Sequence, residues 1–206
     1  MRLASLRRSI DSDVALFLLV VGFSLAYLSL FIFISPYDMA DEGYLYYVVK
    51  RLTTGDRPYV DIELHSYLPL MFGTFVAYSD IAGDSVIAFR ALMAVGLSLA
   101  AGFAYLSLKT VVPRRWAVFG AIAIALVPGP FFKFYVRLLQ LAVLAAALWW
   151  WRSRCNLAWA LFVVAGAAGL VFRVDVLYAG LALCVAMLTA AVAIAVDMAQ
   201  VVVSKW

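Results

Sequence analysis

Long apolar runs alternate along the chain with short clusters of charge, and one polar stretch stands apart from them. The first run, Val14 to Ile34, carries no charged residue. As a helix rising 1.5 Å per residue it reaches about 30 Å, one hydrocarbon thickness. Ser35-Pro36 stops it, and Arg2, Arg7 and Arg8 precede it, as expected of a cytoplasmic N-terminus. It is longer than a signal-peptide core and lacks a small-residue cleavage pattern, which predicts a retained span. Further apolar runs cover 85–108, 113–130, 131–151, 157–172 and 176–196. Lys109, Arg114 and Arg115, then Arg152 and Arg154, mark two cytoplasmic turns between them. The third run is short: it starts near Pro113, or its hairpin stays within the outer half of the membrane. The pattern predicts an all-α, polytopic membrane protein with about six transmembrane helices, both termini cytoplasmic, and a single membrane domain over residues 1–206.

Residues 36–84 differ from the rest. Asp38, Asp41, Glu42, Asp56, Asp61, Glu63, Asp80 and Asp84 face only Lys50, Arg51 and Arg57 there. By alternation this loop is extracytoplasmic. Leu45, Val48, Val49 and Leu52 recur at i, i+3, i+4 and i+7, which predicts an amphipathic helix of about three turns that Gly55 ends. Tyr47, Lys50 and Arg51 fall on its other side. A second short helix is expected over Leu68 to Tyr78, led by Pro69 and lying at the membrane interface.

Composition narrows the function classes. Residues of apolar type make up 67% of the chain and charged ones 14%, with a mean hydropathy of +1.02. A water-soluble domain is about half apolar and about a quarter charged. The net charge of +4 therefore reports loop orientation and gives no reason to expect nucleic acid as a partner. Cys155 and Cys184 have no metal-type spacing, and one histidine, His65, rules out a site built from several imidazoles.

Chemistry concentrates in few places. Asp41-Glu42 opens the amphipathic helix just beyond the first span. Asp41 precedes Leu45 by one turn and so falls on the apolar side, where a carboxylate at the mouth of the protein could act as general base on a hydroxyl. The same two residues also suit a helix cap and the positive end of its dipole. Lys133, Arg137 and Gln140 lie at i, i+4 and i+7 on the outer end of the fourth run. Cations inside a span are costly, so they either meet an anionic group such as a phosphate or snorkel to the headgroups. Arg90 and Arg173 raise the same alternatives, and Arg173 can also pair with Asp175. His65, between Glu63 and Tyr67, reads as a hydrogen-bonded loop residue or, with the acids around it, as part of a divalent-cation site with oxygen ligands. No organic cofactor is expected. The clustered tryptophans Trp149, Trp150 and Trp151, with Trp206, read as interface anchors.

The loop resembles a known family. Asp41-Glu42-Gly43-Tyr44, a short helix, then Gly55-Asp56-Arg57-Pro58-Tyr59-Val60-Asp61 and Tyr67-Leu68-Pro69-Leu70 are similar to the first extracytoplasmic loop of the polyprenyl-phosphate-dependent GT-C glycosyltransferases. These include the protein O-mannosyltransferases and the aminoarabinose transferases of lipid A. Phe89-Arg90-Ala91-Leu92, and Gly166 to Arg173 with Asp175, are also similar. A single proline, Pro69, stands where many relatives have two, and the chain is shorter than family members. The apolar end near Trp206 is that expected of the N-terminal membrane half of a longer enzyme.

The resemblance implies sugar transfer from a polyprenyl-phosphate donor to a hydroxyl acceptor (glycan, lipid or protein) at the outer face of a plasma (inner) membrane. Asp41 takes the catalytic position with Glu42 beside it, and Lys133, Arg137, Arg90, Arg173, Asp61 and His65 become substrate-binding candidates. Two other readings stand beside it. One is a non-catalytic lipid-binding or assembly subunit. The other is a small transporter, which should show related halves that this chain lacks.

Overall fold

A computed structural model describes residues 2–34, 41–62, 69–127 and 134–172. All the regular structure in them is helical, in the order α1 (Arg2–Ile34), α2 (Asp41–Thr53), α3 (Pro69–Ala82), α4 (Val86–Leu108), α5 (Arg114–Leu126), α6 (Phe134–Ser153) and α7 (Asn156–Phe172). Within α1, Ser12–Ile34 is long and apolar enough to cross a membrane, and so is the whole of α4, each with 23 residues. The 13 residues of α5 and the 17 of α7 are apolar but shorter. The sixth expected span, 176–196, lies outside the described residues.

The bounds follow local chemistry. Nothing between Leu3 and Asp13 breaks a helix, so α1 begins at Arg2, well before the uncharged run does. The side chain of Ser85 caps α4, its Oγ accepting from the Ala88 N–H at 3.1 Å. Thr53 ends α2, and Gly55 follows with φ +103°, a conformation that glycine adopts without strain. The second loop helix runs on to Ala82 and stops at Gly83, φ +82°, one turn beyond the expected end at Tyr78.

Helix α4 is the centre. It packs on α1, α5 and α6, and α6 in turn carries α7. Its buried residues are mostly small: Ala94, Gly96, Ser98, Ala100, Ala101, Gly102 and Ala104. In lipid, apolar faces gain little by leaving the solvent, so helices associate through close packing, which small residues permit. A Cβ on Gly96 would lie 2.1 Å from the ring of Phe134 in α6, and one on Gly102 would lie 2.5 Å from Phe17 in α1. The buried hydroxyls of Ser24 and Ser98 donate to the carbonyls four residues back, both at 2.7 Å, so neither is left unsatisfied in an apolar setting.

Two cores divide the bundle along α4. Near its N-terminal end, Phe89, Met93 and Leu97 meet Leu28 and Ile32 of α1, Leu45, Val48 and Val49 of α2, Met71, Phe72 and Phe75 of α3, and Phe134 of α6. The expected buried stripe of α2 is therefore the observed one. The apolar side of α3 packs on protein at the same place. Near the other end of α4, Ala101, Ala104 and Tyr105 meet Val20 and the alanine row Ala117, Ala121 and Ala125 of α5. Bulky aromatics fill the loop side of the bundle, and alanines bring the helices close on the other.

The contact at Gly96 is the most exacting. Gly96→Val should destabilise the bundle by about 1–3 kcal/mol, the usual cost of overpacking. Adding Phe134→Ala should recover part of that loss in a thermal unfolding assay. No recovery in the double variant would mean that the α4–α6 contact does not set the cost.

Candidate functional site

The acidic loop begins where α1 ends. Asp41 is the first residue of α2, and its side chain lies outside what the structure describes. Glu42 is buried, and across 48 residues of sequence it meets Arg90 near the start of α4. Arg90 donates to Glu42 Oε2 from Nη2 at 2.7 Å and from Nε at 3.2 Å. Its Nη1 donates to the Ile32 carbonyl at 3.0 Å. Ile32 is in the last turn of α1, where carbonyls have no partner within the helix. One guanidinium thus joins the end of α1, the start of α2 and the first turns of α4. Only 8% of the Arg90 side chain and 9% of that of Glu42 are exposed, so the pair is desolvated and each member needs the other.

Other acids of the loop are also matched. Asp56 accepts from Arg51 Nε, and Arg51 Nη1 also donates to the Tyr47 hydroxyl at 2.8 Å. These bonds push the Arg51 guanidinium above its usual range. Lys50 Nζ reaches Asp84 at 3.2 Å, tying the end of α2 to the α3–α4 turn. The hydrogen bond and charge of Asp84 raise the lysine from its ordinary value. Asp61 accepts from the backbone N–H of Arg57 at 2.8 Å and from its Nε at 3.0 Å. That pair closes a tight turn in which Tyr59 sits at φ +63°, in the left-handed region. Tyr59 and Val60 form the exposed tip of this turn.

The other sequence candidates separate. Arg137, half-buried in the second turn of α6, donates from Nη1 to the Val127 carbonyl just past α5, at 3.1 Å. The Tyr27 hydroxyl donates to the neighbouring Leu126 carbonyl at 3.4 Å, so α1 and α6 both serve the C-terminal end of α5. Lys133, His65 and Arg173 lie outside the described residues. Among the described residues, no three His, Cys, Asp or Glu side chains gather as a metal site would require. Of the eight candidates, Glu42 and Arg90 are brought together. Asp61 is held by Arg57, apart from that pair, and Arg137 is held at the end of α5.

A second polar cluster was not foreseen. Asp13, in α1, accepts from Lys109 Nζ at 2.9 Å, Arg114 Nε at 3.0 Å and the Tyr105 hydroxyl at 3.2 Å. The signal was available: an acid just before one apolar run meets the cations just after the next when the two runs are antiparallel. Asp13 and Ile32 are 19 residues apart in α1, as are Arg90 and Lys109 along α4, which is about 28 Å of helix. The two polar clusters therefore bracket the α1–α4 hairpin at about one hydrocarbon thickness.

Comparison with protein-family models, with curated proteins and with solved structures gives no match.

Removing one member of the Glu42–Arg90 pair strands a buried charge. Glu42→Gln and Arg90→Met should each cost about 3–5 kcal/mol in a denaturation assay, and the double variant should cost clearly less than their sum. Additive losses would contradict a direct pair. At the loop turn, the hydrogen bonds of Arg57 hold Asp61 below its ordinary value of 3.8. The stabilisation from this lowered acid is complete above the unfolded value and is lost as pH falls through the folded one. An Asp61 titration followed by NMR should have its midpoint below 3.8, and Arg57→Ala should move it upward. An unchanged midpoint in the variant would remove Arg57 as the cause.

Proposed function

We propose that this chain is the membrane part of a polyprenyl-phosphate-dependent glycosyltransferase of the GT-C type, with six spans, cytoplasmic termini and residues 36–84 at the outer face of a plasma (inner) membrane. The observation that carries the reading is the placement of the acid pair. Asp41-Glu42 opens α2 directly beyond α1, and Glu42 is anchored on Arg90 at the mouth of the α1–α4 hairpin. The polar clusters at the two ends of that hairpin support the membrane setting.

The pair then divides its roles. The Oε2 of Glu42 already accepts two bonds from Arg90, so this residue fixes the start of α2. Asp41, next in the chain, is the general base. An acceptor hydroxyl oxygen attacks the anomeric carbon of the donor sugar as its proton passes to Asp41. A carbon–oxygen bond forms, the bond from the anomeric carbon to the phosphate oxygen breaks, and polyprenyl phosphate leaves with the electron pair. The phosphate is already a competent leaving group, so the protein has mainly to orient the acceptor and hold the anion. Arg137 with Lys133, four residues before it in the sequence, is the cationic pair for that second task.

Asp41→Asn tests the base. The amide keeps some capping ability and loses basicity. Transfer from a radiolabelled polyprenyl-phosphate sugar should fall about a hundredfold or more per folded molecule, with the helical spectrum unchanged. Full turnover in the folded variant would leave Asp41 as a helix cap. Topology is tested separately with Val60→Cys at the exposed loop tip, in a background where Cys155 and Cys184 are serine. An impermeant thiol reagent should label it in intact cells. Labelling only after lysis would place the loop on the cytoplasmic side.

A further inference from the structure

At the end of the bundle opposite the acidic loop, the α4–α5 turn and the α6–α7 turn lie side by side. Arg152, in the last turn of α6, donates from Nη2 to the Thr110 carbonyl just past α4. Five cations gather here: Lys109, Arg114, Arg115, Arg152 and Arg154. Among the described residues, the carboxylate that meets them is Asp13, and it is held by Lys109 and Arg114. The balance of the cluster is strongly positive, and it falls on Arg115, Arg152 and Arg154, all exposed.

Two arginines on this rim, Arg115 and Arg154, lie over indole rings. The Arg154 guanidinium lies 5.0 Å from the ring centres of both Trp150 and Trp151, and that of Arg115 lies 5.8 Å from Trp116. Trp150 packs in turn on Trp159 of α7 at 5.1 Å. Arg154 reaches this position through a left-handed backbone, φ +53°, which few non-glycine residues adopt. A stacked guanidinium keeps its in-plane N–H groups at its edge, where they match the paired oxygens of a phosphate. Around these cations the surface is apolar, with Trp116, Trp149, Leu157 and Trp159 exposed. Indoles beside cations at the end of membrane-spanning helices are suited to the headgroup layer.

We infer that this rim binds the phosphate of anionic phospholipids, with Arg154 on its tryptophan platform and Arg115 on Trp116 as the two principal contacts. The apolar surround selects a lipid headgroup over a free anion, because it would lie against acyl chains and glycerol while the arginines hold the phosphate. The inference is independent of any transfer activity at the other end of the bundle.

The test uses the full chain, purified in detergent, with lipid binding measured by native mass spectrometry. Phosphatidylglycerol should bind several-fold more tightly than phosphatidylcholine of the same acyl chains. Arg154→Asn removes the charge while tolerating the left-handed backbone, and Arg115→Gln keeps the helix. Each should weaken phosphatidylglycerol binding about fivefold, the effect of roughly one surface cation on an anionic lipid, and leave phosphatidylcholine binding unchanged. Arg57→Gln, at the opposite end, should have no effect. Arg154→Lys supplies a variant that keeps the charge if the asparagine lowers stability, and it should retain most of the preference. Equal binding of the two lipids, or no loss in the Arg115→Gln and Arg154→Asn variants, would overturn the inference. Displacement of the lipid by excess inorganic phosphate would overturn the choice of a lipid ligand.

Discussion

A charge taken out of water must find a partner, and in this protein the Glu42–Arg90 contact meets that requirement at the point where three helices converge. Arg90 belongs to the central helix α4, Glu42 to the first loop helix, and the Ile32 carbonyl to the end of α1. If α2 lifted away, the Arg90 guanidinium would lose its carboxylate while staying beside Phe89, Met93 and other apolar side chains. The pair thus turns a loop helix of 13 residues, too short to be stable alone, into a fixed part of the bundle. The surface pairs Lys50–Asp84 and Arg57–Asp61 are exposed and add little energy, but they set the path of the chain into and out of the loop.

The rest of the architecture follows from what lies between the polar ends. With Asp13 matched to Lys109 and Arg114 at one end and Glu42 matched to Arg90 at the other, the α1–α4 hairpin cannot slide along its axis without breaking both sets. Close packing through Gly96, Gly102 and the alanines of α5 holds it laterally. Side-chain size tracks position: large aromatics where the loop helices must be covered, alanines where two helices must approach. The same logic governs helix ends. Arg90, Arg137 and Arg152 each satisfy a carbonyl at or beyond the end of another helix.

Much of this was legible in the sequence, and the failures are instructive. The stripe Leu45, Val48, Val49 and Leu52 read correctly because helical periodicity is local. Gly55 is legible as the stop of α2 because helix stops depend on one or two residues. The start of α1 was hidden, since charge marks where an apolar run begins and says nothing of where the helix does. The end of α3 moved to Ala82 because Gly83 is the residue that adopts positive φ there. The partners of Glu42 and Asp13 were not legible, since each lies tens of residues away and depends on how α1 and α4 pack. A cation in an apolar run calls for a compensating group, and for Arg90 the structure supplies a carboxylate of the chain itself.

Hydrogen exchange across the loop tests the central claim most directly, because it reads the docking of α2 without assuming any activity. In the folded protein, amides from Leu45 to Arg51 should be protected nearly as well as those of α4. Glu42→Gln should speed exchange in α2 and in the last turn of α1, while α5 and the Asp13 end of the hairpin stay protected. Unchanged protection of α2 in that variant, or an equal loss over the whole bundle, would contradict an account in which this one buried pair fixes the acidic loop on the mouth of the protein.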